Sequence, residues 1–158
     1  MVSVYQPPHE VPDHPGLPSV FLAGSIDMGR AAAWQKQVEA VLANEDVVLL
    51  NPRRDDWDAS WIQSMHHPEF RRQVEWEIEG LERADYILMY FVPETTAPVS
   101  LLELGLFARS GKMLVACPSA YWRRGNVELI CERFGIPLFH HLESALLTLR
   151  NRLKEWQP

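Results

Sequence analysis

An isolated carboxylate stands within a strongly apolar stretch of the sequence, PVSLLELGLF. Its glutamate, Glu103, is the only charged residue between Glu94 and Arg109. Ser100 and Glu103 have the spacing of a helix-capping box, in which the glutamate only reaches back to the serine amide. In the alternative interpretation, the positive end of a helix holds Glu103 ionised at the carboxyl edge of a sheet, where it acts as a nucleophile. The spacing leaves both interpretations open.

A second carboxylate, Glu77, falls on the apolar face of a helix predicted over residues 68–83. At about 100° per residue it shares that face with Phe70 and Leu81, whereas the other glutamates after Val74 fall on the opposite side. Arginine or backbone partners can satisfy such a glutamate, so a structural role stays open. One ionised nucleophile and one protonated acid are nonetheless the minimum for exchanging a glycosidic bond with retention.

Apolar runs that alternate with helical segments must position these acids. Strands are predicted at 19–23, 47–50, 86–91, 113–117 and 137–139, and helices near 30–43, 68–83, 100–110, 124–134 and 141–155. Strands that are apolar on both faces and separated by helices predict a parallel sheet covered on each side. We therefore expect an α/β fold with five parallel strands, which binds ligands at the carboxyl ends of the strands.

Polar turns follow three of the predicted strands, at residues 24–29, 51–58 and 122–126. The first turn permits close backbone approach but lacks the glycine pattern of a dinucleotide fingerprint. The second carries Arg, Asp and Trp, which can stack on and hydrogen-bond a flat heterocycle. An ordinary turn or a solvated loop is the alternative for each of them.

Composition limits the class of protein. The chain has 158 residues and a net charge of −6, which disfavours nucleic-acid polymers and anionic lipid as partners. No apolar run approaches the about 20 residues of a membrane span, and no secretory signal is recognisable, so we expect a cytoplasmic protein. Cys117 and Cys131 predict neither a disulfide framework nor a metal site. We expect a loose, proline-rich arm at residues 1–17 and a single domain at 18–158.

Together these segments resemble the nucleoside 2-deoxyribosyltransferase family, in particular its 2-deoxyribosyltransferase-like branch. The resemblance runs from about residue 19 to 139 and includes FLAGSIDMG, NPRRDDWDASW and APVSLLELGLFARSGK. Its most specific element is Ala-Asp at 84–85, followed by Glu-Leu-Gly at 103–105 and Gly-Lys at 111–112. The resemblance implies a flavodoxin-like three-layer sandwich, no cofactor and no metal.

The resemblance also implies roles for particular residues. Glu103 matches the glutamate that attacks C1′ of the sugar, and Glu77 falls where the family places an assisting acid, often Asp. Asn126 matches a residue that reaches from a neighbouring subunit to the sugar 5′-hydroxyl, which implies a homo-oligomer, at least a dimer. The residues expected to bind substrate are Gly24, Ser25, Asp27, Asn51, Trp57, Asp58 and Asn126.

Three functions follow from this pattern. The first is a transferase that exchanges the base of 2′-deoxyribonucleosides through a covalent deoxyribosyl–glutamate. The second is a nucleoside or nucleoside 5′-monophosphate hydrolase with the same nucleophile, and the third is a non-catalytic nucleoside-binding module. In the similar monophosphate hydrolases an arginine often stands where this chain has Asp27, and a carboxylate there repels phosphate by about 1 kcal/mol or more. Asp27 therefore favours free nucleosides, although Arg30, Arg123 and Arg124 remain alternative phosphate ligands.

Overall fold

A computed structural model describes residues 1–158, in which one parallel sheet lies between two layers of helices. The six strands are β1 (Ser3–Tyr5), β2 (Ser19–Gly24), β3 (Val48–Leu50), β4 (Tyr86–Tyr90), β5 (Met113–Ala116) and β6 (Leu138–Phe139). The five helices are α1 (Trp34–Val41), α2 (Pro68–Arg83), α3 (Pro98–Phe107), α4 (Arg124–Phe134) and α5 (Leu142–Glu155).

The strand order is β1-β3-β2-β4-β5-β6, and every neighbouring pair is parallel. Without β1, this is the order of the flavodoxin-like fold, with its reversal between β2 and β4. Apolar residues of α2, α3 and α4 pack against one face of the sheet, and those of α1 and α5 against the other. The predicted α/β class and parallel sheet are therefore confirmed.

The prediction of five strands is wrong by one, because β1 forms within the segment expected to be a loose arm. Ser3 and Tyr5 pair with Val48 and Leu50 of β3, at the edge of the sheet. The strand escaped prediction because it has only three residues, two of them exposed, and therefore shows no buried apolar run.

The rest of the arm crosses α2 and is held there by side chains of that helix. The Trp76 indole nitrogen donates to the carbonyl of His9 at 2.7 Å. The Arg83 guanidinium donates to the carbonyls of Val11 and Pro12, each at 3.0 Å. These bonds satisfy backbone oxygens that a free arm would leave to water.

None of the helices combines the length and hydropathy that a membrane-spanning helix requires.

Candidate active site

Glu103 lies in the second turn of α3, because the helix begins at Pro98 rather than at Ser100. Ala97 adopts a left-handed conformation with φ of 43°, and proline is favoured at the first helical position. Ser100 is buried inside the helix, and no side chain caps its start. The capping-box interpretation is therefore wrong, and the alternative interpretation is wrong in placing Glu103 beside the positive helix end.

The carboxyl group of Glu103 has no compensating partner. Its Oε2 is enclosed and accepts no hydrogen bond. Burial, together with the negative charge of Glu77, raises the pKa of Glu103 to about 8. We expected an ionised Glu103 in the free protein, but the environment favours the protonated form at neutral pH.

Glu77 lies near the middle of α2, and its carboxyl group accepts a hydrogen bond from Gln73. Gln73 Nε2 donates to Glu77 Oε1 at 2.8 Å, which favours the ionised carboxylate. Burial is the larger effect and raises the pKa of Glu77 to about 7. Because the charge of Glu77 acts on Glu103, the two carboxyl groups form one coupled pair across α2 and α3.

Coupling between these acids has a direct chemical consequence. With pKa values of about 7 and about 8, the pair holds roughly one proton between pH 7 and pH 8. One member is then a carboxylate and the other an acid. This is the combination that a double displacement at a glycosidic carbon requires.

Gly24 and Ser25 stand at the reversal point of the sheet, where they join β2 to the loop after β4. A Cβ on Gly24 would lie 2.1 Å from the carbonyl oxygen of Tyr90, so only glycine fits there. Ser25 Oγ accepts hydrogen bonds from the amide of Val92 at 2.9 Å and from Thr95 Oγ1 at 2.6 Å. Both residues therefore shape the backbone at the carboxyl edge.

Asp27 begins a left-handed turn after β2. Asp27, Met28 and Gly29 have φ values of 50°, 54° and 82°. Left-handed non-glycine residues cost about 1–3 kcal/mol each and persist where the surroundings impose them. The Asp27 carboxylate is exposed and lies 3.7 Å from the guanidinium of Arg30.

Arg53 fixes this turn and was not singled out from the sequence. Its guanidinium donates to three successive parts of the loop, the carbonyls of Gly29, Ala31 and Ala32, at 2.9, 2.6 and 2.9 Å. The signal in the sequence is an arginine three residues after a buried strand, in the loop at its carboxyl end. An arginine at such a position can donate hydrogen bonds to the loop backbone or to a ligand.

Asn51 is buried, and protein partners use both ends of its amide. Its Nδ2 donates to Glu39 at 3.0 Å, and its Oδ1 accepts from the backbone amide of Arg53 at 3.0 Å. Asn51 also lines a cavity of about 300 Å³ between α1 and the end of β1. The acid pair does not line that cavity.

Trp57 and Asp58 lie in the loop that leads from β3 to α2. The Trp57 ring meets the Trp61 ring edge-on at 5.0 Å, and its indole nitrogen is buried without a partner. Asp58 is exposed and accepts from the amide and hydroxyl of Ser60 at 2.8 and 2.6 Å. A cavity of about 410 Å³ beneath this loop is lined by Pro7, Pro8, Arg54, Trp61, Glu69, Arg72, Gln73 and Trp76.

Asn126 is exposed near the start of α4, whereas the two acids lie on α2 and α3. Leu129, three residues on, is 67% exposed. The outer face of α3 is also apolar, since Val99, Leu102 and Leu106 are all more than half exposed. Exposed apolar side chains are thus present both on the helix that carries Glu103 and on the helix that carries Asn126.

Arg123 and Arg124, the alternative phosphate ligands on or next to α4, both contact other groups of the protein. Arg124 donates to the carbonyl of Cys117 and pairs with Glu128 at 2.6 Å, so it is already engaged within the chain. The Arg123 guanidinium lies over the Trp122 ring at 4.3 Å.

No cluster of three His, Cys, Asp or Glu side chains is placed to hold a metal ion.

The fold and site define a parallel α/β protein with a partly buried, coupled acid pair on two helices of one face of its sheet. A profile of the nucleoside 2-deoxyribosyltransferase-like family matches residues 17–121, a span that contains both Glu77 and Glu103. The protein belongs to this family, which confirms the resemblance seen in the sequence.

Solved structures include a similar fold. The crystal structure of a conserved protein from Enterococcus faecalis V583 matches with a TM-score of 0.58 and 13% sequence identity. The match covers 86% of this chain and 99% of that chain. At this identity the likeness is one of fold. No curated protein of assigned function matches the chain significantly.

Proposed function

We propose that the protein is a nucleoside 2-deoxyribosyltransferase that exchanges the base of 2′-deoxyribonucleosides. The observation that carries the proposal is the partly buried pair of Glu77 and Glu103, whose pKa values are raised by desolvation to about 7 and about 8. Keeping two carboxyl groups in such surroundings is unfavourable for folding, so a catalytic use explains why they are there. The family to which the chain belongs supports the same chemistry.

The reaction begins with a proton shift within the pair. The proton that Glu103 holds in the free protein passes to Glu77, and Glu103 becomes a carboxylate. An oxygen of Glu103 then forms a bond to C1′ while the bond from C1′ to the base nitrogen breaks. The electron pair leaves with the base, which takes the proton from Glu77.

A second displacement completes the exchange. The incoming base attacks C1′ from the face that the first base left, and the ester bond to Glu103 breaks. Glu77 removes the proton of the incoming base nitrogen. Two inversions give net retention at C1′. A 2′-hydroxyl withdraws electrons from the cationic transition state, so a deoxy sugar is the better substrate.

We propose free nucleosides, rather than nucleoside 5′-monophosphates, as substrates because of the position of Asp27. Its carboxylate is exposed in the turn at the ligand edge, where it would repel a 5′-phosphate. The engagement of Arg124 with Cys117 and Glu128 also removes one alternative phosphate ligand.

The active site is proposed to be completed across a homodimer. Leu102 and Leu106 of α3 and Leu129 of α4, three residues after Asn126, are exposed apolar groups, and covering such groups at an interface stabilises association. In this arrangement Asn126 of one chain binds the sugar 5′-hydroxyl at Glu103 of the other chain. An isolated chain is then weakly active.

One experiment separates transfer from hydrolysis. The protein is incubated with a deoxynucleoside in the presence and absence of a second free base. A new nucleoside that forms only with the added base supports the transferase. Free deoxyribose that appears at the same rate in both samples would establish the hydrolase instead.

The same assay, repeated with the Glu103→Gln variant and combined with a binding measurement, tests the non-catalytic binding module. A binding module predicts nucleoside affinity without any cleavage, and equal affinity in the Glu103→Gln variant. Cleavage in the wild type that is lost in Glu103→Gln excludes it.

A further inference from the structure

Gln73 is a buried amide that contacts one member of the acid pair. It lies four residues before Glu77 on α2, so the two side chains share one face of the helix. Gln73 is only 4% exposed. Its Nε2 donates to Glu77 Oε1 at 2.8 Å and to the carbonyl oxygen of Pro52 at 3.0 Å. Both hydrogens of the amide nitrogen are therefore used.

Pro52 determines the orientation of this amide. A carbonyl oxygen can only accept, so it holds Nε2, and not Oε1, on this side of the Gln73 side chain. Turning the amide over would set Oε1 against the Pro52 carbonyl and against an ionised Glu77. The observed orientation leaves Oε1 buried without a partner, which the two donated bonds must outweigh.

No cation neutralises Glu77. The ionisable group coupled to it is Glu103 of the neighbouring helix α3, another acid, whose pKa the negative charge of Glu77 raises. On α2, Arg71 pairs with Glu75 and Arg72 with Glu69, and the loop after β3 contributes the neutral Pro52 carbonyl. Gln73 is thus the hydrogen-bond donor that the protein provides to this carboxyl group.

We propose that Gln73 is a positioning residue that distinguishes the two acids of the site. By donating to Glu77 Oε1, it fixes that carboxyl group and favours its ionised form, while Glu103 has no such donor and keeps the shared proton. Glu77 is then ready to receive the proton when Glu103 becomes the nucleophile. The kinetic consequence of this role rests on the proposed function, but the hydrogen bond and its effect on ionisation do not.

The first test needs no enzymatic activity and no variant. NMR of protein labelled in its glutamine side chains and glutamate carboxyl carbons follows both partners through a pH titration. The amide resonances of Gln73 should move with the same midpoint as the carboxyl carbon of Glu77, near pH 7. Chemical shifts of the Gln73 side-chain amide that do not change as Glu77 ionises would overturn the proposal.

The second test uses Gln73→Met, which keeps the length and apolar volume of the side chain but removes the donor. The midpoint of Glu77 should rise by about one pH unit, because a bond to the charged form is lost. Gln35→Met is the matched control, since Gln35 is also a buried amide with an unpartnered atom but lies on α1, against the other face of the sheet. A Glu77 midpoint that stays unchanged in Gln73→Met contradicts the proposal.

Kinetics then separates this inference from the proposed function. In a base-exchange assay, Gln73→Met should lower kcat about tenfold or more while KM stays within about threefold. The acidic limb of its pH profile should move upward by about one unit. If the wild type exchanges no bases, the proposed function fails, while the two NMR titrations still decide the role of Gln73.

Discussion

Glu77 and Glu103 lie on neighbouring helices, and the negative charge of Glu77 raises the pKa of Glu103. Burial raises both values, and the hydrogen bond from Gln73 to Glu77 makes the two acids unequal. The helix dipole contributes little at Glu103, because the residue lies beyond the first turn of α3. Desolvation of both carboxyl groups, and next the repulsion of Glu103 by Glu77, therefore govern the ionisation of this site.

Activity should have a narrow pH optimum. The form with one shared proton is the active one, so kcat/KM should fall below pH about 7 and again above pH about 8. In Glu77→Gln the residual activity should depend on one ionisation, that of Glu103, and its midpoint should lie below about 8 because the like charge is gone. Initial rates across pH 5–10 test this; a midpoint that stays at about 8 in the variant would contradict the coupling.

Stability should decrease as the pH rises from about 5 towards 8. Both acids have pKa values in the folded protein above the ordinary value of 4.5, so between these values the folded state holds more protons than the unfolded state. The free energy of unfolding falls with pH wherever that is so. Urea midpoints measured across this range should fall less steeply in Glu103→Gln than in the wild type. The control is Glu82→Gln at an exposed position of α2, which should leave the slope unchanged.

Two inactive variants should restore activity when they are mixed. Glu103→Gln lacks the nucleophile, and Asn126→Ala lacks the residue proposed to cross the interface. In a random mixture, half of the dimers pair the two variants, and one site of each such dimer has both native residues. Activity should therefore return to about a quarter of the wild-type value. Leu102→Glu on the exposed face of α3 should prevent the rescue, and sedimentation should show smaller particles. Mixtures that stay inactive would argue against a shared site.

Gly24 should not tolerate a side chain. In Gly24→Ala the new Cβ would meet the Tyr90 carbonyl, and φ of +132° is unfavourable for alanine, so we expect a loss of more than about 3 kcal/mol in unfolding free energy. Gly105→Ala is the comparison, because no atom lies within 4 Å of its added Cβ. This change within α3 should be neutral or stabilising by up to about 1 kcal/mol. Equal urea midpoints for the two variants would contradict the close approach of β2 and β4.

The sheet core was predictable because its strands are buried on both faces and therefore appear as continuous apolar runs. β1 was not, since an edge strand with exposed residues lacks that pattern. The start of α3 was also misplaced: Ser100 has the residue type of a cap, but the left-handed Ala97 and the following Pro98 begin the helix earlier. Local sequence does not specify such a backbone conformation.

The acid pair was predictable in part. An unpaired glutamate in an apolar segment and another on an apolar helix face were visible as Glu103 and Glu77. Their unequal ionisation was not visible, because it depends on which side chain donates to which carboxyl group. Gln73 could have been found by its four-residue spacing from Glu77, although glutamines at such positions are common on helices. Ser25 and Asn51 are predicted to bind substrate, which stays a prediction; their hydrogen bonds within the protein were not visible in the sequence.

The most direct test of the account is intact-mass spectrometry of the protein mixed rapidly with a 2′-deoxynucleoside in the absence of an acceptor base. We predict a species heavier by one deoxyribosyl group, with the added mass located on the peptide that contains Glu103 and lost when a free base is supplied. Glu103→Gln should form no such species, while Glu94→Gln, an exposed glutamate on the loop before α3, should form it normally. An adduct on another residue, or base exchange that continues in Glu103→Gln, would contradict the account.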